Sequence, residues 1–318
     1  MAQNELFRVD RLQAEEYRSS NSIAIAYLIA HFGLSAVLAT TVLIFCGKLP
    51  VLVAFLAILL GYMFARGLEL AHALMHGAFF RTEFPRASRL IGTILTAPFL
   101  LSWSQWRWTH FHHHRDPRIE GFDYPDVRSI VDMPKVIGHH LMLAHWRNSL
   151  RRAALAFLWP RTLREELGQM ARRTEPISAR LHAHVVEEYR LIAAGAVGIV
   201  IVCFLVEPQL IFYLGLAVLS ASITHVLIEM PEHVLTDLDD RFPGANSFEI
   251  TDSVVADVLC FNNTRHATHH RYPAIAVYRL RAASKLLEHQ HCEPTYFAFW
   301  GRFARERLFV RRNRAGSG

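Results

Sequence analysis

Lysine is nearly missing from this 318-residue chain: Lys48, Lys135 and Lys285 are all there is, and arginine carries the rest of the positive charge. Cysteine is scarce too. Cys46, Cys203, Cys260 and Cys292 stand apart with no C-x-x-C pair, which excludes a disulfide framework, a thiolate zinc site and an iron–sulfur centre. They read as small apolar fillers. No glycine-rich loop follows a strand to cradle a dinucleotide, and no fused haem domain is visible. Charged residues make up 19% of the chain, against about 25% in soluble domains. No Pro/Gly/Ser-rich linker divides the sequence, and no repeat of roughly 20–50 residues recurs in it. A length that could hold two domains is therefore read as one, residues 1–318, with 311–318 as a disordered tail. The N-terminus lacks a basic region followed by a small-residue cleavage site, so the first apolar span is expected to act as its own targeting signal.

What is present is hydrophobic: 52% of the residues, gathered into runs. Ile23 to Phe45 is free of charge and would extend about 34 Å as a helix, enough to cross a bilayer. Gly47-Lys48 makes a short turn, and Pro50 suits the first helical turn of a second span running from Leu49 towards Phe64. Leu191 to Val206 reads as a third span, short unless residues before Tyr189 join it; Glu207-Pro208 turns the chain, and Leu210 to Ile228 is the fourth. Leu90 to Trp103, with Pro98 inside it, is too short to cross and reads as interfacial or re-entrant. Val136 to Trp159 mixes Leu141, Leu143 and Trp146 with Arg147, Arg151 and Arg152, and also reads as interfacial. The expected fold is an all-α integral membrane protein, its four transmembrane helices in two hairpins with interfacial helices and a histidine-rich cytoplasmic cap. Arginine fixes the orientation. The two tight turns hold a single positive residue, Lys48, so they are expected outside and both termini inside, the expected location being a bacterial inner membrane. The net charge of +6 then needs no nucleic-acid partner; anionic headgroups suffice.

The histidines are not scattered. They form His72-x-x-x-His76, His110-x-x-His113-His114 and His266-x-x-His269-His270, with His233 as a single addition. Neutral imidazole is the commonest protein ligand for mid-series transition metals, and spacings of three and four put two rings on one helix face. Depth agrees with spacing. His72 follows Leu49 by 23 residues, and His233 follows Leu210 by the same number. Each lies about 35 Å along its helix, just past the inner edge of the hydrocarbon. Nine imidazoles exceed what one ion can hold, so two ions are expected. Nitrogen-ligated ions beside an apolar phase point to dioxygen activation on an apolar substrate, for which iron is the usual metal. Carboxylate-bridged di-iron bundles use a repeated Glu-x-x-His motif; at these clusters that spacing occurs once, at Glu69-Leu-Ala-His72, and is not repeated.

The blocks His72-Ala-Leu-Met-His76-Gly-Ala-Phe-Phe, His110-Phe-His-His113-His114 and Asn262-Asn-Thr-Arg-His266-Ala-Thr-His269-His270-Arg-Tyr-Pro273 resemble the three histidine boxes of the membrane fatty acid desaturase superfamily. That superfamily also includes carotenoid ketolases and hydroxylases. The resemblance runs in order from about residue 60 to 285. It implies a non-haem di-iron centre on the cytoplasmic face, a helical membrane bundle, and oxygen-dependent attack on an unactivated C–H bond. It also implies that His233 is the additional ligand between the second and third boxes. One departure is Glu229, one helical turn before His233 where some members have asparagine, facing either iron or a bound water. Pro231 stands between the two as a helix breaker.

Other residues have plainer readings. His112 is out of phase with its box. His225, still inside the fourth span, reads as an internally hydrogen-bonded polar residue. His139, His140, His145, His182, His184, His289 and His291 lie in arginine-rich stretches and are expected to face solvent or headgroups. His31 is buried at mid-membrane, where a polar group is costly. Asp123 and Asp126, shortly after the second box, either brace histidine rings from behind or belong to a solvated loop. Arg66 and Glu69, three apart, read as an ion pair.

An oxygenase of this kind consumes two reducing equivalents per turnover, and nothing in the chain supplies them. A separate electron carrier such as a ferredoxin, steered to the basic inner face, is the expected partner beside a lipid or acyl substrate. Three functions follow from these residues: a fatty acyl desaturase, a hydroxylase or ketolase of a lipid or carotenoid with the same centre, and a membrane metal transporter or sensor. The last is disfavoured, because transporters place their ligands near the bilayer midplane.

Overall fold

The computed structural model describes residues 19–82, 84–115, 133–170, 177–236, 246–251, 254–287, 289 and 291–309. Asp123, Asp126 and the 311–318 tail lie outside the described residues.

Four helices are long and apolar enough to cross a membrane: α1 (Asn21–Phe45), α2 (Pro50–Met75), α8 (Ala179–Val206) and α9 (Gln209–His233). Between α1 and α2 the chain reverses through Gly47, whose φ of +76° is a left-handed conformation that glycine adopts without strain. Pro50 opens α2, where its missing N–H costs nothing. Helix α9 leans on α2 along most of its length. The approach is closest at Gly61, where an added Cβ would overlap the Ala217 carbonyl and press on Ser220 and Ala221. Small residues at a crossing let two backbones meet in an apolar solvent, and the Ser220 hydroxyl donates to the Ile58 carbonyl at 2.9 Å across it. Helix α8 is the least covered of the four; Val197, Ile201, Phe204 and Leu205 are exposed, an apolar surface suited to lipid tails.

Helix α8 is longer than its apolar run. It begins at Ala179 behind Ser178, whose side chain accepts from the Leu181 N–H, and its polar first half carries Val185, Val186 and Tyr189 into a core. Hydropathy alone stops at Leu191 because those first turns are buried by other helices, not by lipid. Their neighbours are α6 (Leu143–Leu158) and α7 (Pro160–Met170), which contribute Ala153, Ala156, Leu163 and Leu167.

The Leu90–Trp103 stretch is two pieces. Helix α3 (Pro85–Thr96) passes into a 3₁₀ turn at Ala97–Phe99, the chain bends at left-handed Leu100, and α4 (Trp103–His113) starts. Ser102 caps α4, its hydroxyl accepting from the Gln105 N–H at 3.2 Å. Glu188 on α8, 1% exposed, reaches the same end: it accepts from both hydroxyls of Ser102 and Ser104 at 2.6 Å and from the Ser104 N–H at 2.9 Å. A carboxylate there complements the helix dipole, and Arg89 of α3 offsets its charge at 2.7 Å. Tyr189 adds a hydrogen bond to Gln105 at 2.8 Å, so α4 is bolted to α8 at two successive residues.

Before α6 lies α5 (Met133–His140), and after α9 come β1 (Glu249–Ile250), α10 (Val254–Leu259), a 3₁₀ turn at Asn263–Arg265, and α11 (His266–Arg271). Then follow α12 (Leu280–Ser284), β2 (Cys292–Glu293) and α13 (Tyr296–Phe303). The two short strands pair in parallel, Glu249 opposite Cys292, a small addition to an otherwise helical fold. His139 and His145 are buried, contrary to the solvent-facing reading, and the His145 ring N–H donates to the Phe99 carbonyl at 2.8 Å. Arg66 and Glu69 do not pair: Arg66 lies over the Phe261 ring, while Glu69 turns to His225.

Gly61→Val should lower the unfolding midpoint of detergent-solubilised protein, followed by circular dichroism, by an amount equivalent to about 1–3 kcal/mol. Gly195→Val, on α8 where a Cβ meets nothing within 4 Å, should leave it unchanged.

Candidate metal centre

Helix geometry explains the histidine words. His72 and His76 close α2, and His110, His113 and His114 close α4; His233 ends α9, while His266, His269 and His270 belong to α11. A spacing of four puts two rings on one face and the residue between them elsewhere. Accordingly His110 and His114 turn to one point and His113 to another; on α11, His266 and His270 turn to the second point and His269 to the first. The result is two groups. His72, His76, His110, His114 and His269 form one, and His113, His233, His266 and His270 the other, the ligand atoms of each lying within 4.8 Å of one another. The groups abut, with His114 stacked on His270 at 4.3 Å between ring centroids. All nine sequence candidates converge. His112 belongs to neither group and packs its ring against Trp108.

The close approaches are between Nε2 atoms. His110 Nε2 stands 2.9 Å from that of His72, 2.8 Å from that of His76 and 3.0 Å from that of His114. His233 Nε2 lies 3.0 Å from that of His113 and 3.1 Å from that of His266. Hydrogen bonding cannot account for this, because each Nε2 offers one proton or one lone pair and His110 has three neighbours. Lone pairs gathered so closely repel unless a cation sits among them. An imidazole–metal bond of about 2.1 Å with right-angle neighbours puts adjacent nitrogens about 3.0 Å apart, which is the spacing found. The buried Nε2 atoms of His269 and His270 have no hydrogen-bond partner among the described residues, which fits a role as metal ligands.

Burial also sets the right protonation. Desolvation, followed by repulsion among the rings, pushes His76, His110, His114, His266, His269 and His270 well below the ordinary imidazole range. They are neutral at neutral pH, with a lone pair to give.

Groups behind the rings fix their tautomers. The His233 Nδ1–H donates to the Asn246 carbonyl at 2.8 Å, and the His266 Nδ1–H to Asn263 Oδ1 at 3.2 Å, which leaves each Nε2 free for metal. Glu232, which the sequence reading missed, sets Oε2 3.1 Å from His266 Nε2 and accepts from the Asn263 amide. Glu229 instead sets Oε2 3.1 Å from His225 Nε2, one turn back. Pro231 does not break the helix, which runs on to His233. The adjacency Glu232-His233 was the available signal, and helical periodicity argued for Glu229 instead.

Helix α11 is short and needs support. Glu249, fully buried, accepts from the Thr268 N–H and hydroxyl, both at 3.1 Å. Burial pushes its carboxyl up, against the pull of His289 and Arg265. Asp257 accepts from the Thr264 hydroxyl, from Arg265 at 3.0 Å and from Arg281 at 2.7 Å. Removing one member of such a network strands the other charges, so its cost exceeds that of one bond.

The family model described as fatty acid desaturase matches residues 49–303, which take in all nine histidines. No curated protein matches the chain.

Elemental analysis should find two transition-metal ions per chain, one for each group of imidazoles. His233→Ala should empty the four-imidazole group and leave the other filled. Glu232→Gln should weaken the ion of the four-imidazole group by about 10–100-fold in a chelator competition, because the carboxylate stands at the metal-facing side of His266 and also holds Asn263 behind that ring.

Proposed function

The chain belongs to the fatty acid desaturase family, and on that premise we propose that it carries out oxygen-dependent desaturation of a fatty acyl chain or related lipid at a pair of iron ions. The observation that carries this reading is the split of nine neutral imidazoles into two touching groups at the ends of helices apolar enough to cross a membrane. Iron held by these groups supplies the power to activate dioxygen against an unactivated C–H bond. Everything else falls to the chain. His72, His76, His110, His114 and His269 hold one ion; His113, His233, His266 and His270 hold the other. The pairs Glu188–Ser104 and Glu249–Thr268 keep α4 and α11 in register so that the rings do not drift.

A groove of about 520 Å³ reaches His76 and is walled by Phe79, Phe80, Trp103 and Phe111, with Arg107 and Arg180 at its polar side. Its volume and aromatic lining suit an aliphatic chain with a polar end. Four spans in two hairpins, with both turns outside and both termini inside, would set this groove and both metal groups at the cytoplasmic face of a bacterial inner membrane. There α3 and α5–α7 lie along the interface, and a separate electron carrier such as a ferredoxin docks on the arginine-rich surface.

Iron-loaded protein supplied with a reduced ferredoxin system, dioxygen and acyl lipids should yield chains with a new double bond in lipid analysis. Alcohols or ketones in their place would identify the hydroxylase or ketolase of the same family chemistry, and no oxygen-dependent product from any lipid would remove the reading. Impermeant thiol reagents should label cysteines placed at Lys48 and Glu207 from outside, and one placed at Arg115 only after the membrane is opened.

A further inference from the structure

Glu69 of α2 and His225 and Glu229 of α9 belong to neither metal group, yet they stand in file. His225 Nε2 is 3.1 Å from Glu229 Oε2, and on the ring's other side Nδ1 is 3.9 Å from Glu69 Oε1. Glu229 is 27% exposed, whereas His225 and Glu69 are 2% and 6% exposed, so the file runs inward from a group that meets the surroundings. Its inner end opens on the metal centre. Glu69 lines a cavity of about 20 Å³ together with His72, His76 and His269, room for one molecule the size of water. Phe99 sets its ring against His225 at 5.6 Å, and Trp146 stacks on Phe99. From α5, His139 comes within electrostatic reach of Glu229 and His225. Two carboxylates on either side of one ring in a low dielectric repel when both are ionised, which favours a proton shared between them. Ionisable groups kept inside a membrane protein at such a cost are commonly relays.

We infer that Glu229, His225 and Glu69 form a proton path into the cavity beside the five-imidazole group. The inference rests on the oxygen chemistry proposed above, which consumes protons from solvent. For desaturation, –CH₂–CH₂– + O₂ + 2 e⁻ + 2 H⁺ gives –CH=CH– + 2 H₂O. Two C–H bonds and the O–O bond break and four O–H bonds form, the electrons coming from two one-electron carriers such as reduced ferredoxin. The two solvent protons must cross a water-excluding wall. Both carboxyls must rotate into hydrogen-bond alignment with the ring; Glu229 then passes a proton to His225 Nε2, the Nδ1 proton moves across the 3.9 Å gap to Glu69, and Glu69 delivers it into the cavity.

Two measurements test this. Infrared spectra of metal-free protein in lipid nanodiscs should show a deuterium-sensitive protonated-carboxyl band that vanishes in Glu69→Gln and moves in His225→Gln. In iron-loaded protein, Glu69→Gln and Glu229→Gln should each retain both ions and slow oxygen consumption by about 10²-fold. His225→Ala should be equally slow and recover with added imidazole, which a packing role would not allow. Should Glu69→Gln fail to fold, Glu229→Gln and His225→Gln carry both readouts. Unchanged oxygen consumption in the variants, or a carboxyl band indifferent to them, overturns the path. Oxygen consumption that yields alcohol instead of alkene overturns the desaturase reading alone, because hydroxylation takes the same two protons.

Discussion

Nine imidazole lone pairs are held closer together than they would stay unaided, and the rest of the structure answers to that constraint. Nitrogens 2.8–3.1 Å apart repel without a cation between them. Each element that bears a ligand is accordingly fixed by something remote from the metal. Gly61 lets α2 and α9 touch, so that His72, His76 and His233 end at matching heights. Glu188 pins the start of α4, two to three turns from its histidines. Glu249 and Asp257 pin α11 from either side. These anchors are buried and charge-assisted, the kind that hold a geometry to within a fraction of an ångström.

The doubled histidines have a purpose within that scheme. Had each word supplied one i,i+4 pair, three helices would have filled one site and left the second dependent on isolated residues. The middle histidine sends every HxxHH helix to both groups. Helix α4 gives two rings to the first group and one to the second, and α11 gives the reverse. Neither group can move without straining the helices of the other, so the distance between the two groups is set by two short helices.

Much of this was legible in the sequence, and for physical reasons. Long apolar runs and spacings of three and four are local signals, and they led to the four spans and to the nine imidazoles that the structure brings together. What escaped depends on partners far along the chain. The polar first half of α8 is buried by α6 and α7, so hydropathy could not count it. Arg66 and Glu69 are three apart, as a pair should be, but Glu69 meets His225 from the neighbouring helix. His139 and His145 sit among arginines in sequence and inside the protein in space. Asn246 and Glu249 come from a stretch with no periodicity at all.

The two imidazole groups are not equivalent. Five imidazoles form the first, and a water-sized cavity lies against it, lined by His72, His76 and His269. Four imidazoles form the second, and the Glu232 carboxylate stands at its edge, 3.1 Å from His266 Nε2. A carboxylate lends negative charge where imidazoles lend none, so a cation held by the second group would have the more strongly charged surroundings. The first group has the neutral donors, the small cavity and the buried acid beside it. The second group thus offers the charged neighbour and the first the access, so neither group could replace the other.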